Sequence, residues 1–130
     1  MDASTVHTLP GLTDATLGRL LAAEHAVLVL MVADCRVCTD YEADLARRYE
    51  AGELAGVAVG KLVLDGPGVD EFRRDNAWVG ELDFFPYTLL YARGRPVEEF
   101  ATTHAAYLVE RLGAMRDGHR ADRGERRGDD

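Results

Sequence analysis

The sequence predicts a single α/β domain with a central mixed sheet and helices on both of its faces. Three features carry that expectation. Residues 26–33 form an unbroken apolar run, which reads as a central strand buried on both sides. Apolar runs and helix-spaced segments then follow one another in the order β-α-β-α-β-α-β-β-α, so parallel strands must be joined by right-handed crossovers. Finally, Cys35-Arg36-Val37-Cys38, which holds the only cysteines of the chain, sits at a strand-to-helix turn.

Taken in order, residues 5–9 are a short extended candidate ended by the turn dipeptide Pro10-Gly11. Thr13 or Asp14 can cap a helix that runs to about His25, with Leu17, Leu20 and Leu21 on one face. The buried strand of residues 26–33 comes next. After the cysteines, Val37, Tyr41, Leu45 and Tyr49 recur every fourth residue, while Asp40, Glu42, Asp44, Arg47 and Arg48 fill the other face. That is an amphipathic helix closing near Gly52.

Residues 57–64 read as the next strand, broken in character only by Gly60 and Lys61, and Asp65-Gly66-Pro67-Gly68 ends it. A short helix over residues 69–76 turns Val69 and Phe72 inward. Residues 77–86 are rich in aromatics and have no clean period. Residues 87–92 and 96–101 form a hairpin across Arg93-Gly94-Arg95. The last helix, residues 103–115, buries Leu108, Leu112 and Met115. The domain is therefore expected over residues 1–116. Residues 117–130, polar and charged, are expected to be a disordered tail.

Composition narrows the function classes. A chain of 130 residues with 47% hydrophobic content is one domain with a real core. Its net charge of −8 argues against a nucleic-acid or anionic membrane partner, since phosphates must be met by clustered Lys and Arg. The longest apolar run falls well short of the roughly 20 residues that span a bilayer. No secretory signal is visible, so cytoplasmic residence is the default expectation. In that reducing compartment a close cysteine pair points to catalysis, redox sensing or metal binding rather than a structural staple. Two cysteines are only half of a tetrahedral zinc site, and His25, His104 or another subunit would have to complete it, so no metal is expected.

The strand-CxxC-helix arrangement over residues 28–38 resembles the thioredoxin family. Val59-Gly60-Lys61-Leu62-Val63-Leu64-Asp65 is similar to that family's strand ending in aspartate. Pro86-Tyr87-Thr88-Leu89-Leu90-Tyr91-Ala92-Arg93-Gly94 is similar to its proline-led hairpin. The resemblance spans roughly residues 4–115. It implies a thioredoxin-like fold and a thiol–disulfide oxidoreductase that reduces protein disulfides. Cys35 would be the nucleophile and Cys38 the resolving thiol. Pro86 would be a cis-proline that aligns an extended substrate segment beside Phe85, with an ordinary core role as the other reading of Phe84 and Phe85.

The resemblance also implies no cofactor beyond the redox-active pair, an external reductase or small thiol as electron donor, and a monomer. Arg36, Val37, Asp34 and Lys61 would tune the site: Arg36 adds positive charge beside the sulfurs and Asp34 opposes it. Lys61 either keeps a cation near the sulfurs or extends to solvent. The chain departs from the family pattern at Val29, where the family has a buried aspartate that moves a proton for the second cysteine. Lys61 is thus expected without its counter-charge. Met31 and Asp34 replace two tryptophans, Arg36-Val37 replaces Gly-Pro, and Ala43 replaces a helix-kinking proline. These departures motivate the alternative, a thioredoxin-fold binding or assembly protein whose dithiol is vestigial or acts as a redox-controlled docking switch. Trp78 is expected in the core, His104 at the surface or on the rim of the site, and His7 and His25 in structural or exposed positions.

Overall fold

Strand β1 (His25–Met31) is apolar from Ala26 onward and is buried throughout that stretch, so the sheet can be built outward from it on both edges. The computed structural model describes residues 8–125, with side chains through Asp117. β1 pairs in parallel with β2 (Ala58–Val63) and antiparallel with β3 (Tyr87–Ala92), and β3 pairs antiparallel with β4 (Arg95–Ala101). The strand order is β2-β1-β3-β4, a mixed four-stranded sheet as expected.

Because side chains alternate across a strand, β1 feeds two cores. Val27, Val29 and Met31 pack with Tyr41 and Leu45 of α2 (Arg36–Glu50) and with Leu108 and Leu112 of α4 (Ala105–Glu125). Ala26, Leu28 and Leu30 pack on the opposite face with Leu20 of α1 (Leu17–Leu21) and Phe72 of α3 (Asp70–Asp75). Helices therefore cover both faces. Among the described residues, none is long and apolar enough to cross a membrane.

The structure differs from the sequence expectation in several places. The proposed strand at residues 5–9 lies mostly outside the described residues. Just after it, Gly11 forms a parallel bridge to Lys61 on the free edge of β2, with Lys61 N–H donating to Pro10 O and Leu12 N–H donating to Lys61 O. This docking explains Gly60: a Cβ there would lie 2.8 Å from Leu12 Cδ1. The first helix has five residues instead of about twelve. Asp14 does not cap it; its carboxylate accepts from the N–H groups of Glu71 (2.8 Å) and Phe72 (2.9 Å) and so caps α3.

Residues 77–81 form a short 3₁₀ helix, and Trp78 is not core: it is exposed, its ring tilted against Tyr87 at 6.0 Å. Arg93 and Gly94 both have positive φ (54° and 82°), the backbone that a two-residue hairpin needs to match strand twist. α4 is longer than expected and is described to Glu125, past Met115. The remaining residues, 126–130, lie outside the described part.

Candidate active site

The register gathers the chemistry at one end of the sheet. Leu30 pairs with Tyr87 and Tyr87 with Ala101, so the C-terminal end of β1, the start of β3 and the end of β4 are neighbours. From these ends emerge the cysteines, Pro86 and residues 102–104. Cys35 and Cys38 form a disulfide, and the Phe85-Pro86 peptide bond is cis.

Cys35 is the N-cap of α2. Its extended backbone (φ −116°, ψ 101°) turns Sγ onto the first helical turn, where it accepts a hydrogen bond from Cys38 N–H at 3.1 Å. Free N–H groups at a helix start stabilise negative charge, by about 0.3–1 kcal/mol in exposed settings and up to ~2 where partly buried. Cys35 is partly exposed, whereas Cys38 is only 2% exposed and belongs to the core beneath α2. The turn before them is held from the turn that follows β2: Asp65 Oδ1 accepts from Ala33 N–H at 2.9 Å, and Asp34 takes a left-handed conformation with φ 55°.

The neighbours expected to tune the sulfurs contribute unequally. Arg36 and Asp40 form an exposed ion pair at 3.8 Å. Such pairs contribute about 0–1 kcal/mol because water screens them. Asp34 and Val37 are exposed too. The dominant local influence on Cys35 is therefore the helix start. Lys61 is the larger correction. It is not without a counter-charge: its Nζ lies 2.6 Å from Glu42 Oε2, and the same oxygen accepts from Leu9 N–H at 2.8 Å.

Glu42, placed on the solvent face of α2 by the sequence reading, is buried. The spacing held the signal. Residues 38, 41, 42 and 45 form one i, i+3, i+4, i+7 stripe, so Glu42 follows Cys38 on the apolar face. Burial is tolerable because Lys61 and Leu9 supply partners.

Tyr41 is a second residue whose role the periodicity did not reveal. Its hydroxyl lies 2.9 Å from Thr88 Oγ1, both groups buried. Register puts Val29 between Lys61 on β2 and Thr88 on β3. Adjacent α2 residues thus straddle β1, Glu42 reaching one neighbouring strand and Tyr41 the other, with Val29 as the apolar floor between two polar contacts.

Burial pushes the Tyr41 phenol up to about 12 from 10.0, with the Thr88 hydrogen bond acting against that rise and Asp44 adding to it. The folded state therefore favours neutral tyrosine, and this stability is fully present below pH 10 and lost as pH rises toward 12. Tyr41→Phe should lower stability by about 1–2 kcal/mol at neutral pH, because it leaves the Thr88 hydroxyl unpaired. Urea unfolding from pH 8 to 12 should also show a shallower alkaline loss in the variant. An unchanged alkaline slope would assign that loss to Tyr87, which burial and Glu99 raise to a similar value.

Beside cis-Pro86 lies an open groove of about 340 Å³ lined by Phe84, Phe85, Pro86, Thr102 and His104. Phe84 is 71% exposed, while Phe85 is half-buried and packs against both cores. His104 is therefore both exposed and on the rim. His25 lies on β1, away from this end, and His7 lies outside the described residues. Among the described residues no group of three or more His, Cys, Asp or Glu is arranged to hold a metal ion.

The sequence matches no protein-family model and no curated protein. Solved structures do match. Spinach chloroplast thioredoxin f, in its short form, is 18% identical with a TM-score of 0.67, covering 89% of this chain and 99% of that one. Thioredoxin f2 of Chlamydomonas reinhardtii is 16% identical with a TM-score of 0.67, covering 82% and 95%. Mitochondrial thioredoxin 3 of Saccharomyces cerevisiae, in its oxidized form, is 15% identical with a TM-score of 0.64, covering 82% and 94%. At these identities the likeness is one of fold, and the fold is that of thioredoxin.

Proposed function

We propose that this thioredoxin-fold chain is a thiol–disulfide oxidoreductase that reduces protein disulfides by dithiol exchange. The observation that carries the reading is the Cys35/Cys38 disulfide, with its accessible sulfur at a helix start and its second sulfur buried one turn on. In the dithiol form, Cys35 thiolate attacks one sulfur of a substrate disulfide. That S–S bond breaks, the departing thiolate takes up a proton, and a mixed disulfide joins Cys35 to the substrate. Cys38 then loses its proton and attacks Cys35 Sγ, which releases the second substrate thiol and closes the Cys35/Cys38 disulfide. Two electrons pass from enzyme to substrate, and an external dithiol or reductase returns them.

Cys35, accepting from Cys38 N–H, takes the attacking role, and the groove beside Pro86 is where an extended substrate segment would lie, against Phe84 and Phe85. Lys61 and Glu42 form the buried charge pair under the helix.

Insulin reduction tests the reading. Wild-type protein should accelerate precipitation of the insulin B chain in dithiothreitol, and Cys38→Ala should accumulate covalent mixed disulfides with protein substrates. No acceleration over dithiothreitol alone, or a single partner retained by Cys38→Ala without a disulfide bond, would transfer the chain to the docking-module alternative.

A further inference from the structure

Cys38 must lose a proton in the second half of the exchange, yet the residue is 2% exposed and lies among apolar side chains. Water reaches it poorly, so an internal acceptor is needed. Among the described residues, the only buried carboxylate is Glu42. It lies four residues after Cys38 on the same helix, a spacing that puts the two Cβ atoms about 5–6 Å apart. That separation can be crossed directly by the side chains or through one water. Val29 supplies no carboxylate from the strand beneath.

Resting on the dithiol-exchange reading above, we propose that Glu42, held by Lys61, accepts the proton of Cys38 as that thiol attacks the mixed disulfide on Cys35. Proton and electrons balance: Cys38 S–H gives its proton to the Glu42 carboxylate, the Cys38/Cys35 S–S bond forms, and the Cys35–substrate S–S bond breaks. The departing substrate thiolate then receives the proton from Glu42, and the carboxylate is restored. Lys61 serves as the positioning residue, holding Oε2 at 2.6 Å. Leu9 N–H holds the same oxygen, so the docked segment before Gly11 belongs to the device as well.

Among the described residues, few other titratable groups belong to the elements packed around this carboxylate. α2 contributes Cys35, Cys38 and Tyr41, and Tyr41 is held neutral by burial and bonded to Thr88. β2 contributes Lys61. From β1 and α4 the same core receives apolar side chains, among them Val29, Leu108 and Leu112.

The test uses full-length reduced protein and 5,5′-dithiobis(2-nitrobenzoate), whose coloured thiol is released twice. The first release reports attack by Cys35 and the second reports displacement by Cys38. Glu42→Gln keeps shape and hydrogen-bonding capacity but cannot accept the proton. It should leave the first phase within about twofold of wild type and slow the second at least tenfold near pH 7, in line with the ~10²–10⁴-fold typical of a positioned base. The deficit should shrink as pH rises and Cys38 ionises by itself.

Register places position 29 beside Lys61, so Val29→Asp combined with Glu42→Gln should restore the second phase. A merely structural Glu42 would not give that rescue. Should Glu42→Gln fail to fold, Glu42→Leu with Lys61→Met strands no charge and carries the same prediction of a slowed second phase.

An unchanged second phase, or equal slowing of both phases, overturns the assignment of Glu42. A wild-type protein that gives both phases but does not reduce insulin contradicts the protein-reductase reading and leaves the proton assignment standing. A wild-type protein that gives neither phase refutes both.

Discussion

Cys35→Ser is expected to reduce insulin-disulfide reduction to the background of dithiothreitol alone, a loss on the order of a thousand-fold or more. The reason is chemical rather than structural. A serine hydroxyl at this position is not ionised at neutral pH and does not attack a disulfide. It is nevertheless a favoured N-cap and can accept from the N–H of Cys38 as Sγ does now, so α2 should start at the same place. The variant should therefore keep the wild-type far-ultraviolet circular dichroism while losing activity. Because the assay holds the wild type largely as the dithiol, the missing crosslink does not bias the comparison. Substantial activity left in Cys35→Ser would mean that Cys38 or a different chemistry carries the reaction.

Lys61→Met should be the most destabilising single change at the charge pair, at about 3 kcal/mol. The two partners are unequally buried: Lys61 has a side-chain exposure of 22% and Glu42 of 8%. Removing the lysine strands the deeper charge. Losing one partner of a buried pair costs ~3–5 kcal/mol, and the lower end applies here because the pair is not fully dry. Glu42→Gln should cost less, about 1–2 kcal/mol, since the amide oxygen can still accept from Leu9 N–H and the ammonium can turn toward solvent.

The double change Glu42→Leu with Lys61→Met should recover most of the loss, as apolar replacement of a buried pair often does. Urea unfolding at pH 7 distinguishes the three. If Lys61→Met costs no more than Glu42→Gln, the pair is more hydrated than its geometry implies.

Much of the fold was legible because it follows from local pattern. Residues 26–33 are apolar without interruption, and such a run fits only where both faces are covered. The Arg93-Gly94 turn and the four-residue recurrence of Tyr41 and Leu45 likewise specify hairpin and helix from short-range sequence. The misreadings have one kind of cause. Asp14 was read as a cap for its own helix, but its carboxylate found the start of α3, far along the chain. Trp78 is expected in the core, yet on its 3₁₀ turn it stands exposed against the Tyr87 ring. Glu42 was read as solvent-facing by its charge, although its position in the helical stripe was that of a core residue.

By itself, the sequence determined that two thiols stand at a strand-to-helix turn and that a proline precedes a hairpin two strands along. Periodicity and turn chemistry act over a few residues and are written in them. Only the tertiary structure decided that these features meet at one end of the sheet, that Lys61 has a carboxylate partner, and that this partner lies one helical turn from Cys38. Those outcomes depend on strand register and on how α2 lies across β1. A buried charge is accepted only where distant residues supply its partners, and Glu42 has them in Lys61 and the Leu9 N–H, neither of which adjoins it in the chain.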